Sequence, residues 1–428
     1  MKTKSTLFGL NFTPPPTPSP RPSGERVGVR GFDELEKRTS SPQPSPPLRG
    51  GEGDKRRRCQ VAPTLFVLLL GFLGGGCASV RPVTPNASPE AVALLNYLHG
   101  ISGRHTLTGQ HNFPNTHDTY SRQAAAAWGK TPAVFGQDFG FAGPGDKDAV
   151  AARPDIVAEC ERQYENGAII ALCWHAVPPT ADEPVTFRPR PGAATNRLAS
   201  VQGQLTDEQW NELITPGTDL YNHWCEQVDV MAGYLKQLQA AHVPVLWRPY
   251  HEMNGDWFWW GGRRGERGTT VLYRQLFDRL VNNHHLNNLV WVWSVDRPST
   301  PERQFADFFP GRNYFDVAAL DDYHSDFQES YYRDLLKLAG RKPIALAEVG
   351  PPPTPDVLNQ QPRWTWWMLW AGMVNTEPAA SKAMHTLVND PRSLSRDDPE
   401  YIKGIAPIRA ASGLAPLPLP PTSQPAQN

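Results

Sequence analysis

The chain has 428 residues, enough for one large α/β domain or two ordinary ones, and its 39% hydrophobic content supplies a real core, which excludes global disorder. Lys and Arg number 42 against 43 Asp and Glu, a net charge of −1. No basic field exists to hold a polyanion, so nucleic acid is not an expected partner.

Residues 1–54 are rich in Pro, Ser, Gly and Arg and lack hydrophobic periodicity. Segments 18–26 and 44–52 are imperfect copies of each other. The stretch reads as a disordered leader or as translated non-coding repeat. The second is preferred, because an export signal follows only afterwards. Lys55 to Arg58 form a basic run ahead of the apolar stretch Val61–Leu73, the n-region and h-region of a signal peptide. An apolar stretch of about 13 residues is short for a membrane span. Gly74-Gly-Gly-Cys77-Ala-Ser resembles a bacterial lipobox, which would make Cys77 a lipid anchor and place the protein in the periplasm, the outer membrane or outside the cell. A linker over 78–89 then leads to one domain at 90–412, followed by a Pro-rich tail at 413–428. No separate binding module fits in that domain.

Within the domain, short apolar runs alternate with helical patterns, which predicts repeated βα units around a parallel sheet. Strands are expected at Thr106–Gln110, Ala133–Asp138, Ile169–Trp174, Val245–His251, Leu289–Ser294, Val317–Leu320, Ile344–Glu348 and Thr365–Trp370. Helices are expected at Ala91–His99, Asp155–Asn166, Leu220–Ala241, Thr270–Asn283 and Ser330–Ala339. Several strands end in residues that would be odd in a core: Asp138, Trp174-His175, His251-Glu252, Asp321-Asp322-Tyr323 and Glu348. A single (β/α)8 TIM barrel explains this, since its active site is built at the C-terminal ends of its strands. A doubly wound sheet would want a glycine-rich phosphate loop after the first strand, and Leu107-Thr-Gly-Gln-His is not one. The long connection 175–219 is expected to elaborate the active face.

Of the 14 Trp, nine cluster at 257–260, 291–293 and 364–370. Core packing and stacking on pyranose faces both remain open for them. Five Cys are too few and too irregular for a disulfide framework or a zinc site, and a pairing of Cys160 with Cys173 or Cys225 stays open. Hydrolysis of a glycosidic bond needs one carboxyl group to protonate the leaving oxygen and a second to attack or stabilise the anomeric carbon. Glu252 and Glu348, at the ends of strands four and seven, would face each other across a barrel mouth.

Arg248-Pro-Tyr-His-Glu-Met-Asn-Gly-Asp-Trp-Phe-Trp-Trp-Gly261 resembles the acid/base signature of glycoside hydrolase family 26, and Pro343-Ile-Ala-Leu-Ala-Glu-Val-Gly350 looks like its nucleophile strand. Asp316 to Tyr323 and Cys173-Trp-His-Ala176 are similar to its strand-six and strand-three segments. The resemblance runs in order over roughly residues 91–400. It implies a barrel and a retaining endo-β-1,4-mannanase acting on mannan or a related β-glycan. Glu252 would be the acid/base, with its pKa raised by apolar neighbours and by Glu348. Glu348 would be the ionised nucleophile. His251 and His175 would line the subsite where the sugar distorts, Tyr323 would donate to the nucleophile or the ring oxygen, Trp257 would stack on sugar, and Arg248 would hold a carboxylate ionised. Asn254 would touch sugar or fix its loop, and one Trp of 364–370 would stack near the cleavage point.

Rival readings are mixed-linkage β-glucanase, an exo-acting mannobiohydrolase closed off by 175–219, and a non-catalytic carbohydrate-binding barrel. A metallohydrolase using His251, Glu252, His175, Asp138 and Asp322 lacks the usual His spacing. No metal, cofactor or protein partner is implied.

Overall fold

The computed structural model describes residues 80–142, 147–189, 200–324, 326–376 and 381–420. The expected leader, signal peptide and lipid anchor at Cys77 lie outside the described residues.

Eight strands form in the expected order: β1 (Thr106–His111), β2 (Val134–Asp138), β3 (Ile169–Trp174), β4 (Val245–Pro249), β5 (Leu289–Asp296), β6 (Val317–Asp322), β7 (Ile344–Val349) and β8 (Trp364–Leu369). Each pairs in parallel with the next, and β8 pairs in parallel with β1, so the sheet closes into a barrel. Strands buried on both faces read as continuous apolar runs rather than alternating ones. That is why these segments could be found in the sequence. A two-residue strand, Ser393–Leu394, adds to the start of β1.

The expected helices also form, at Pro89–Ile101, Arg153–Glu165, Asp219–Ala240, Thr269–Asp278 and Glu329–Ala339. Ser88 and Thr218 cap the first and third, their hydroxyls accepting from the Ala91 and Tyr221 backbone N–H. The expected helix 270–283 changes to a π turn over Arg279–Asn283. Among the described residues no helix is long and apolar enough to cross a membrane.

Two expectations change at this level. The segment read as a linker is tied down from Val80 onward: the Val83 N–H donates to Asp316 Oδ1 at 2.7 Å, and the Trp291 N–H donates to Oδ2 at 2.9 Å. Asp316 is buried, so it joins this strap to the floor of β5 and β6. The aromatic clusters are mostly core. Eleven of the 14 Trp are fully buried, including Trp291, Trp293, Trp364, Trp366 and Trp367, so packing accounts for the clusters at 291–293 and 364–367. Cys160, Cys173 and Cys225 are free.

Candidate active site

β4 ends at Pro249, two residues before the expected His251. The chain then turns sharply, with Tyr250 at φ 48° and Glu252 at φ 51°. Both lie in the left-handed region, which costs on the order of 1–3 kcal/mol for each non-glycine residue. Neighbours fix the turn. Trp224 Nε1 donates to Tyr250 Oη at 2.8 Å, Trp260 Nε1 donates to the His251 carbonyl at 2.9 Å, and the Gly255 N–H donates to the Glu252 carbonyl at 2.8 Å. Glu252 is thereby aimed over the barrel mouth.

Glu348 stands near the end of β7. Arg248 Nη2 donates to its Oε1 and the Tyr323 hydroxyl donates to its Oε2. Arg248 Nη1 also donates to Asp321 Oδ2 at 2.9 Å, and Asp321 accepts from Ser294 Oγ at 2.8 Å. Charge-assisted donors of this kind hold a carboxylate with short, directional hydrogen bonds, and at Asp321 burial outweighs Arg248 and raises the carboxyl well above the usual range. Glu252, Asp321 and Glu348 each bring one oxygen within 4.8 Å of the others, and the cation among them is the Arg248 guanidinium.

Glu252 has the opposite surroundings. Its described side-chain donor is Trp257 Nε1, 2.5 Å from Oε2. Burial, then the negative charges of Asp321, Glu348 and Asp296, push its carboxyl well above the usual range. The hydrogen bond from Trp257 opposes that rise only in part. Burial, reinforced by Glu348 and Glu252, likewise raises the Tyr323 hydroxyl, keeping it a donor.

His175 Nδ1 contacts Asp138 Oδ2, and the His175 backbone N–H donates to Asp138 Oδ1 at 3.2 Å. Burial works against ionisation of Asp138, yet the contact with His175 holds its carboxyl below the usual range. His251 crosses His175 edge to face at 4.5 Å, with Nε2 3.9 Å from Glu348 Oε1. Burial, with Arg248 and His175 adding to it, pushes His251 well below its ordinary pKa, so it is a neutral ring.

These groups open onto a cavity of about 590 Å³. Its lining includes an aromatic group, Phe187, Phe258 and Trp370 packed about His175. It also includes polar residues: Asp296, Arg297, Ser299, Arg303 and His324. All of the expected site residues converge here, Arg248 from beneath through its contact with Glu348. Of the four Trp at the eighth strand, Trp370 alone lines the cavity, stacked on His111 at 4.0 Å. Burial pushes His111 down to about 3, so that support is neutral.

Three residues take roles the sequence left open or assigned otherwise. Asn254 ties loops together: Nδ2 donates to the Asp296 and Arg303 carbonyls, and Oδ1 accepts from the Asp296 N–H. Asp322 accepts from the His324 and Phe327 N–H groups, which engages it as a turn former. Trp257 points its N–H at Glu252 and carries the Arg303 guanidinium 4.9 Å over its ring, so both its N–H and a ring face are engaged within the protein. Sequence reading missed His111, Asp296, Arg297 and Arg303. The Asp-Arg pair at the end of β5 was the available signal, because a charged pair closing an apolar run is unusual in a core.

Comparison with known proteins agrees with the barrel fold. The family model described as glycosyl hydrolase family 26 matches residues 83–398. The mannan endo-1,4-β-mannosidase of Thermothelomyces thermophilus is 30% identical over 333 residues, covering 73% of this chain and 62% of that protein. That of Bacillus subtilis strain 168 is 30% identical over 297 residues, covering 64% of this chain and 74% of that protein. Against the first two curated relatives the match spans 62% and 47% of their lengths. A solved family 26 structure from Muricauda is 40% identical with a TM-score of 0.65, covering 73% of this chain and 98% of that one. A Bacillus subtilis mannanase structure is 25% identical with a TM-score of 0.60, covering 74% and 95%.

Proposed function

The chain belongs to glycosyl hydrolase family 26, and from that premise we propose that it cleaves internal β-1,4-mannosidic bonds of mannan-type polysaccharide with retention of anomeric configuration. Glu252 is the acid/base and Glu348 the nucleophile in this reading. The observation that carries it is the close pairing of two carboxyl groups in opposite environments at one cavity. Oxygens within 4.8 Å suit a retaining pair, whereas an inverting pair is spread by roughly 6.5–9.5 Å to admit a water.

Glu348, held by Arg248 and Tyr323, attacks the anomeric carbon while Glu252 gives its proton to the departing glycosidic oxygen. Glu252 Oε2 accepts from Trp257, which leaves Oε1 as the oxygen free to carry and deliver the proton in this reading. Glu252, now ionised, takes a proton from water, which attacks the glycosyl–Glu348 ester and releases the sugar. His251 and His175 present neutral or Asp138-oriented ring nitrogens to the sugar, and Trp370 supplies the apolar face. The names of the curated relatives support mannan as the polymer.

Chromatography of products from mannan, mannooligosaccharides and lichenan tests the substrate. Mixed-length products early in the reaction are expected, and short uniform products from the outset would exclude endo action. NMR of the first-formed anomer tests retention. Export belongs to the same proposal, resting on the basic run and apolar stretch ahead of Cys77, and N-terminal sequencing of the mature protein tests it.

A further inference from the structure

We propose that Arg303 is a positioning residue for the acid/base carboxyl, holding the Trp257 indole in the attitude from which its N–H donates to Glu252. The inference rests on the reading of Glu252 as the acid.

Arg303 belongs to the connection after β5, whereas Trp257 belongs to the loop after β4. The Arg303 side chain clamps the two loops together alongside the Asn254 amide. Arg303 Nη2 donates to Asp256 Oδ1 at 2.6 Å, Nη1 donates to Ser299 Oγ at 3.3 Å, and the Arg303 carbonyl accepts from Asn254 Nδ2 at 3.0 Å. Both ends of the residue are thus anchored to 254–256. Its guanidinium then lies 4.9 Å over the Trp257 ring. The benzo edge of that ring presses on Gly255, where an added Cβ would come within 2.3 Å of Cη2. With Gly255 and Arg303 confining it, the indole keeps Nε1 at 2.5 Å from Glu252 Oε2. A cation over an aromatic face is attracted by the ring quadrupole, and the contact strengthens with desolvation. A platform that served only to stack on sugar would not need such a clamp.

Two rivals give different results. Arg303 could bind the polysaccharide directly, since it lines the cavity, or it could be a plain ion pair joining two loops. The test uses aryl β-glycosides sharing one glycone, with leaving groups from dinitrophenol, which departs without a proton, to phenol, which needs one. Mannosides and glucosides are both included, so failure of the mannan assignment shows up separately. Arg303→Ala is expected to leave kcat/KM for the dinitrophenyl glycoside within about twofold, and to lower it for the phenyl glycoside by about 10- to 100-fold, the scale of a slightly misplaced catalytic group. Arg303→Lys, which keeps a cation, should recover part of that loss. In a Trp257→Phe background, which lacks the N–H, Arg303→Ala should cost nothing further, because the two act through one contact. An equal loss across the leaving-group series, or additive losses in the double variant, would overturn the proposal.

Discussion

Two glutamates of the same chemical kind receive opposite surroundings from their neighbours. Glu348 receives Arg248 and Tyr323, while Glu252 receives burial, three negative neighbours and one indole N–H. Glu252→Ala is therefore expected to lower kcat on polysaccharide by about 10²- to 10⁴-fold, the usual contribution of a general acid/base, as read by reducing-sugar release. Activity should be present while Glu252 is protonated and fall as pH rises through its elevated pKa. Burial also raises Asp296 to about 6, so above that pH it is an anion near the acid. Asp296→Asn removes that charge, lowers the Glu252 pKa and should move the alkaline limb of kcat/KM to lower pH. An unmoved limb would remove Asp296 from the acid's surroundings. Tyr323→Phe deletes one donor to a charged acceptor, worth about 1.5–3 kcal/mol, and kcat should drop roughly 10- to 150-fold.

At the scale of elements, the turn after β4 does the aiming. Its glycines are steric necessities: a Cβ on Gly261 would sit 2.2 Å from the Gly255 carbonyl oxygen. Gly261→Ala should spread this turn, cost about 1–3 kcal/mol as overpacking does, and reduce activity more than it lowers the thermal midpoint would suggest. Circular dichroism melting alongside kcat separates the two effects. The strands were legible because apolar runs between polar strand ends leave a periodic signature. The end of β4 was not, since left-handed Tyr250 and Glu252 depend on the hydrogen bonds from Trp224, Trp260 and Gly255 that surround them. The Trp clusters stayed open for a related reason. Burial decides whether an indole packs or stacks on sugar, and neighbours distant in sequence decide burial.

For the whole molecule, closure of β8 onto β1 brings eight strand ends to one rim, and the strap at residues 80–88 ties into the opposite end. Asp316→Ala would leave the Val83 and Trp291 N–H groups without their acceptor, costing about 2–5 kcal/mol in urea denaturation. A change below 1 kcal/mol by that measure would show that water replaces the carboxylate. Sequence alone determined the barrel and the order of its strands and singled out the two glutamates as candidates, because apolar runs and a long motif are local in the chain. The tertiary structure decided that Glu252 and Glu348 stand within 4.8 Å, that Trp370 rather than its neighbours faces the cavity, and that Arg303 reaches Trp257. Those are distances between residues far apart in sequence, and only closing the barrel sets them.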